Sequence, residues 1–110
     1  MNRSPQNMAM KFGLKDITIQ KIQQVLAAFP QVEEAILYGS RAKGNYKDGS
    51  DIDLTLKGEG LTLSEVNSIG LELDDLLLPY TFDLSVFNQI DNQELLAHIS
   101  RVGLVFYMKD

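Results

Sequence analysis

Two short stretches near the middle of the chain carry residue types that bind phosphate and divalent metal ions. Gly39 and Ser40 stand where a predicted strand turns into a short helix, so backbone N–H groups at the helix start can hold an anion. Glycine lets a phosphate approach the backbone closely, and the serine hydroxyl adds a donor. Asp51 and Asp53 lie on the next predicted strand with one residue between them, so both carboxylates project from one face. Such hard oxygen ligands suit Mg²⁺.

A third carboxylate follows on a later predicted strand. Residues 81–87 alternate in polarity, with Phe82, Leu84 and Val86 on one face and Asp83 on the other. If the two strands are neighbours, Asp83 faces the same cleft, where it could accept a proton from an attacking hydroxyl or help to hold a metal ion. Two metal ions about 4 Å apart would stabilise the attacking and leaving oxygens of a phosphoryl transfer. The three aspartates therefore predict a catalytic and metal-binding cluster.

Basic and polar residues surround these two stretches. Arg41, Lys43 and Lys47 form a local basic spot, although the chain as a whole has a formal net charge of -5. Arg41 and Ser50 are predicted as further nucleotide-binding residues. For Arg41 the pattern leaves two readings open, a contact with the triphosphate or a solvated position on a short helix.

The hydrophobic periodicity predicts the elements that must position these residues. Helical spacing covers 16–29, 62–78 and 91–102, and capping boxes are predicted from Thr62 with Glu65 and from Asp91 with Glu94. Extended patterns cover 34–38, 52–56, 81–87 and 104–107. The order predicts an α/β (α+β) fold, a small mixed sheet of about four strands covered by helices. Strand order does not follow from the sequence.

Length and composition limit the classes of protein that fit. With 110 residues, 45% of them hydrophobic, we expect one domain over 13–110 after a flexible N-terminal tail over 1–12. The negative net charge argues against stable nucleic-acid binding. The chain has no cysteine, which excludes disulfides, thiolate nucleophiles and cysteine zinc sites. No stretch approaches the roughly 20 apolar residues of a membrane span, so we expect a cytoplasmic protein.

The two central stretches together resemble a known signature. GSRAKG at 39–44 and SDIDL at 50–54, with Asp83 in FDLSVF, are similar to the motifs of the DNA-polymerase-β-type nucleotidyltransferase superfamily. The resemblance implies that the Gly-Ser turn holds nucleotide phosphates and that the aspartates bind two Mg²⁺ ions. The short chain resembles the minimal nucleotidyltransferase (MNT) group, which commonly acts as the antitoxin of a HEPN-domain toxin. It therefore implies transfer of AMP from ATP to a tyrosine of that toxin, within a hetero-oligomer, with a homodimer as a further option.

The same residues allow other interpretations. A non-catalytic nucleotide-binding module could neutralise a partner protein by contact alone. A calcium loop starting at Asp48 is disfavoured because its sixth position holds Asp53 rather than glycine. The single histidine, His98, is expected to be a surface or partly packed residue. The apolar runs 76–80 and 104–107 are expected to pack into the core, or to form a partner surface.

Overall fold

The computed structural model describes residues 10–110, which form a four-stranded sheet with helices on both faces and a separate two-stranded hairpin. The helices are α1 (Asp16–Ala27), α2 (Gly39–Lys43), α3 (Leu63–Asp74) and α4 (Gln93–Val102), and a 3₁₀ turn covers Phe87–Gln89. The strands are β1 (Met10–Lys11), β2 (Leu14–Lys15), β3 (Glu34–Tyr38), β4 (Ile52–Lys57), β5 (Phe82–Val86) and β6 (Leu104–Met108). In the part of the chain that the structure describes, no helix has the length and apolar character needed to cross a membrane.

The main sheet has four strands in the order β5-β4-β3-β6. β4 pairs in parallel with β5, whereas β3 is antiparallel to both β4 and β6. This confirms the predicted mixed α/β sheet of four strands and adds the order that the sequence left open. Strand β4, which carries Asp53, therefore lies between the strand that leads into Gly39 and the strand that carries Asp83.

The main hydrophobic core lies on one face of this sheet, beneath α1 and α3. The strand side chains on that face alternate as the period-2 pattern requires, and Ile52, Leu54 and Leu56 are fully buried. The opposite face has a smaller apolar cluster in which Ile99 of α4 packs on Ile36 and Tyr38. Residues at the alternate positions of β4 and β5, including both aspartates, belong to this second face.

The helix boundaries show which local signals determine them. Thr62 and Glu65 form the predicted capping box, with the Glu65 N–H donating to the threonine hydroxyl at 3.2 Å. The other predicted box is wrong by one residue, because the side chain of Asn92, not Asp91, accepts the Leu95 N–H at 3.0 Å. α1 ends at Ala27, two residues before the predicted end, as expected near a proline that disfavours helix in the residue before it.

The start of the described chain forms a small hairpin. β1 pairs antiparallel with β2 around Phe12 and Gly13, both of which have positive φ values, 58° and 75°. Of the tail predicted over 1–12, residues 1–9 lie outside the described residues, and Met10–Lys11 belongs to this hairpin. The hairpin therefore begins within the segment that the sequence assigned to the tail.

Candidate active site

The three predicted aspartates lie at one end of the sheet. Asp53 and Asp83 are register partners in the parallel pair of β4 and β5. Neighbouring strands of a sheet lie about 4.8 Å apart. Parallel register places both side chains on the same face, and Asp51 precedes β4 by one residue. The strand adjacency on which the sequence argument depended is therefore present.

The negative charge of this carboxylate cluster is only partly balanced by positive charge nearby. The pKa of Asp53 is raised from its ordinary value of 3.8 to about 6, first because the group is partly buried and then because Asp83 and Asp51 repel its charge. Arg41 opposes the rise. The same charges act on Tyr38, the register partner of Asp53 on β3: burial raises the pKa of its phenol, Asp83 and Asp53 raise it further, and Ser85 lowers it.

The donor set fits an open magnesium site rather than a closed protein cage. Within residues 10–110 no three histidine, aspartate or glutamate side chains form a ready-made metal cluster, and a carboxylate oxygen of Asp51 accepts a hydrogen bond from the Thr81 hydroxyl. Mg²⁺ commonly uses one or two carboxylates and completes its shell with water and substrate phosphates. Two neighbouring carboxylates with unbalanced charge satisfy that requirement.

A glycine is required where the turn approaches this cluster. Gly39 has φ +76°, a region that other residues rarely adopt, and a Cβ atom there would collide with the Asp53 carboxylate. The turn at Gly39 and Ser40 follows β3 directly and opens α2, as predicted. The structure thus brings the turn into contact with the predicted metal ligand.

One member of the site was missed by the sequence analysis. The backbone N–H of Gly39 donates to Nε2 of His98 at 3.1 Å, so this predicted phosphate donor is already occupied inside the protein. His98 lies on α4, half-buried, with its ring edge-on to Tyr38. Helical periodicity gave no signal for this contact, because its partners are 59 residues apart in the chain.

Arg41 has a different role from the predicted one. Its side chain is only 2% exposed, and its guanidinium makes four hydrogen bonds to backbone carbonyls. Two go to Ser50 at 2.9 and 3.1 Å, one to Phe12 at 2.8 Å and one to Asp48 at 3.2 Å. The predicted phosphate contact is therefore corrected, because the cation is buried and its donors are directed at the loop and the hairpin.

Two aromatic rings complete the surroundings of Arg41. The guanidinium carbon lies 5.4 Å from the centroid of Tyr46 and 5.0 Å from that of Tyr80, within cation–π range. The hydroxyl of Ser50 accepts the Lys47 N–H at 2.8 Å, which tightens the same loop. The Ser50 hydroxyl is therefore engaged within the loop by the Lys47 N–H. Its predicted contact with a nucleotide stays a prediction.

Two buried hydroxyls lie behind the aspartate pair. Thr55 and Ser85 are the next register partners on the same face of β4 and β5, and the Thr55 hydroxyl has no hydrogen-bond partner in the described structure. The polar character of this face thus extends beneath the aspartates.

Comparison with known proteins identifies relatives of this architecture. The family model described as "Polymerase beta, Nucleotidyltransferase" matches residues 20–110. No curated protein matches the chain. A solved toxin–antitoxin structure with AMP-PNP is 20% identical with a TM-score of 0.68, over 84% of this chain and 74% of that one.

Two further solved structures share the fold. A tri-AMPylated HEPN toxin from Shewanella oneidensis in complex with an MNT antitoxin matches with 18% identity and a TM-score of 0.63, over 84% of this chain and 71% of that one. A putative nucleotidyltransferase from Sulfolobus solfataricus matches with 20% identity and a TM-score of 0.50, over 91% and 90% of the two chains.

The buried guanidinium generates a stability prediction. Replacing Arg41 by glutamine leaves carbonyls of the loop and hairpin without their donors, so we expect Arg41→Gln to lower the free energy of unfolding by about 3 kcal/mol. Lys43→Gln, which removes an exposed charge from the same helix, is the matched control and should change it by less than about 0.5 kcal/mol. Urea unfolding measures both, and equal stabilities of the two variants would contradict a structural role for Arg41.

The raised pKa of Asp53 generates a pH prediction. In the metal-free protein the folded state binds an extra proton between about pH 4 and 6, so stability is lost as the pH rises through 6. Asp53→Asn removes this loss. In EDTA the melting temperature of the Asp53→Asn variant should exceed that of the unmodified chain by a few degrees at pH 8. At pH 4.5 the difference in melting temperature should be smaller.

The control for this experiment is Asp48→Asn, which removes an exposed carboxylate from the neighbouring loop. Its melting-temperature difference should show no such trend with pH. A gain for Asp53→Asn that is the same at both pH values would show that the pKa of Asp53 is not raised in the folded protein.

Proposed function

Because the chain belongs to the polymerase beta nucleotidyltransferase family, we propose that it transfers AMP from ATP to a tyrosine hydroxyl of a HEPN-type toxin and so acts as its antitoxin. The observation that carries the proposal is the pairing of Asp53 with Asp83 beside the turn at Gly39. That arrangement places carboxylates directly against the turn at Gly39 and Ser40. The site residues below are assigned as part of this proposal.

The solved structures with the same fold support the choice of nucleotide and partner. One neighbour is a toxin–antitoxin with AMP-PNP, and another pairs an MNT antitoxin with a tri-AMPylated HEPN toxin. We therefore propose a hetero-oligomer with a HEPN toxin as the working state of this chain. Because ATP is the substrate, the proposal also places the protein in the cytoplasm.

The binding step uses the turn and the first two aspartates. Gly39 lets the turn pack against the Asp53 carboxylate, where a side chain would collide, and Ser40 would offer its N–H and hydroxyl to the phosphates. Asp51 and Asp53 would hold Mg²⁺, with Asp83 as a third ligand when two ions bind. Bound Mg²⁺ neutralises the charge of the triphosphate and of the leaving pyrophosphate.

The transfer step moves one proton and exchanges one P–O bond. The acceptor hydroxyl oxygen forms a bond to the α-phosphorus, the bond from that phosphorus to the β-phosphate bridge breaks, and pyrophosphate leaves. The hydroxyl proton passes to a carboxylate, for which Asp83 is the candidate general base. Asp83 is exposed on β5, an edge strand, so a protein acceptor can approach it without opening the fold.

A direct experiment follows from these assignments. The protein is incubated with the HEPN-domain protein encoded beside it, Mg²⁺ and ATP labelled on the α-phosphate, and the partner is examined by intact mass. We expect AMP adducts on a partner tyrosine. The Asp51→Asn, Asp53→Asn double variant should lose transfer by on the order of a thousandfold.

The matched control for the double variant is Asp48→Asn, which removes a nearby carboxylate outside the site and should keep transfer. The absence of any adduct, together with full neutralisation of the toxin by the double variant, would establish the alternative of a binding module without catalysis. The absence of a HEPN-domain neighbour would direct the search to another hydroxyl acceptor.

A further inference from the structure

We propose that His98 is a positioning residue that fixes the nucleotide-binding turn and, through it, the Asp53 carboxylate. His98 is distant in the sequence from both Gly39 and Asp53, because it lies on α4 near the end of the chain. The inference rests on the proposed function for its effect on transfer, whereas the contact itself is independent of that function.

The hydrogen bond at the turn has a defined direction. The Gly39 N–H donates to Nε2 of His98 at 3.1 Å, so this nitrogen accepts and the ring proton resides on Nδ1. Gly39 is the first residue of α2, where backbone N–H groups have no intrahelical partner. His98 therefore satisfies a donor that would otherwise be available for a phosphate, and it leaves the donors from Ser40 onward for the ligand.

The imidazole also touches the residue before the turn. The rings of Tyr38 and His98 are 6.1 Å apart between centroids at an interplanar angle of 80°, an edge-to-face contact. Tyr38 is buried and is the register partner of Asp53. His98 thus contacts both residues at the junction where β3 ends and α2 begins.

The turn transmits this restraint to the metal-binding carboxylate. The space between Gly39 and the side chain of Asp53 is too small for a methyl group. A shift of Gly39 by a fraction of an ångström therefore either presses on the Asp53 carboxylate or leaves it unsupported. Misplacement of catalytic groups on this scale can cost about 100-fold in rate.

The helix that carries His98 has a separate anchor. Ile99 is buried against Ile36 on the sheet, so α4 keeps its apolar contact when the histidine is replaced. Variants at His98 should therefore fold, and a loss of function can be assigned to the turn rather than to the helix.

The first test compares two replacements. His98→Gln keeps a hydrogen-bond acceptor at a similar reach, whereas His98→Leu keeps the volume without the acceptor. We expect His98→Leu to lower kcat for AMP transfer by about 10- to 100-fold with a smaller change in KM for ATP, and His98→Gln to recover most of that loss. Ala97→Leu, an exposed position on the same helix, is the control and should match the unmodified chain.

The second test observes the hydrogen bond without catalysis. In the uniformly ¹⁵N-labelled, metal-free protein, NMR should detect a scalar coupling between the Gly39 amide nitrogen and His98 Nε2, and an Nδ1-protonated tautomer. Absence of the coupling, or a folded His98→Gln variant as impaired as His98→Leu, would overturn the proposal.

If the unmodified chain transfers no AMP, the proposed function fails, while the coupling and the affinity for Mg²⁺ with AMP-PNP still decide the role of His98.

Discussion

The site depends on the buried guanidinium of Arg41. It brings together the hairpin of β1 and β2, the loop that follows α2 and the residues just before β4, through hydrogen bonds to backbone carbonyls and contacts with two tyrosine rings. Removing a guanidinium from water is costly unless its donors are satisfied, so the segments around it must be in place together. Because the loop joins the turn to Asp51, this constraint sets where Asp51 lies relative to the turn at Gly39 and Ser40.

The sheet then converts that geometry into chemistry. β4 lies between β3 and β5, so Asp53 has the turn at Gly39 on one side and Asp83 on the other. Partial burial raises the pKa of Asp53, and repulsion from Asp83 and Asp51 raises it further, while the guanidinium of Arg41 offsets only part of the rise. A divalent ion bound there would relieve the repulsion at the point where the proposed reaction needs a metal ion.

The parts of this site that depend on local periodicity could be predicted from the sequence. Asp51 lies one residue before β4 rather than on it as predicted, but strand parity placed Asp53 and Asp83 on one face, and the capping box at Thr62 and Glu65 is present. Both follow from rules that act over a few residues. The sheet was predicted for the same reason, although its strand order depends on pairings between distant segments.

The contacts that the sequence did not predict have the opposite origin. For Arg41 the pattern left open a phosphate contact or a solvated position, and both differ from the buried position that it takes through contacts such as that with Phe12, 29 residues earlier. His98 was expected to be a surface or partly packed residue and is half-buried, but nothing near it in the sequence signals its hydrogen bond to Gly39. Local patterns cannot report contacts that exist only after the sheet has formed.

We propose that the turn and the aspartates form one metal and nucleotide site. Crystals grown with Mn²⁺ and AMP-PNP test this directly, since manganese can be located by its anomalous scattering. We expect a manganese peak bound by the carboxylates of Asp51 and Asp53, with the triphosphate against Ser40. A manganese ion and nucleotide bound away from these residues would contradict it.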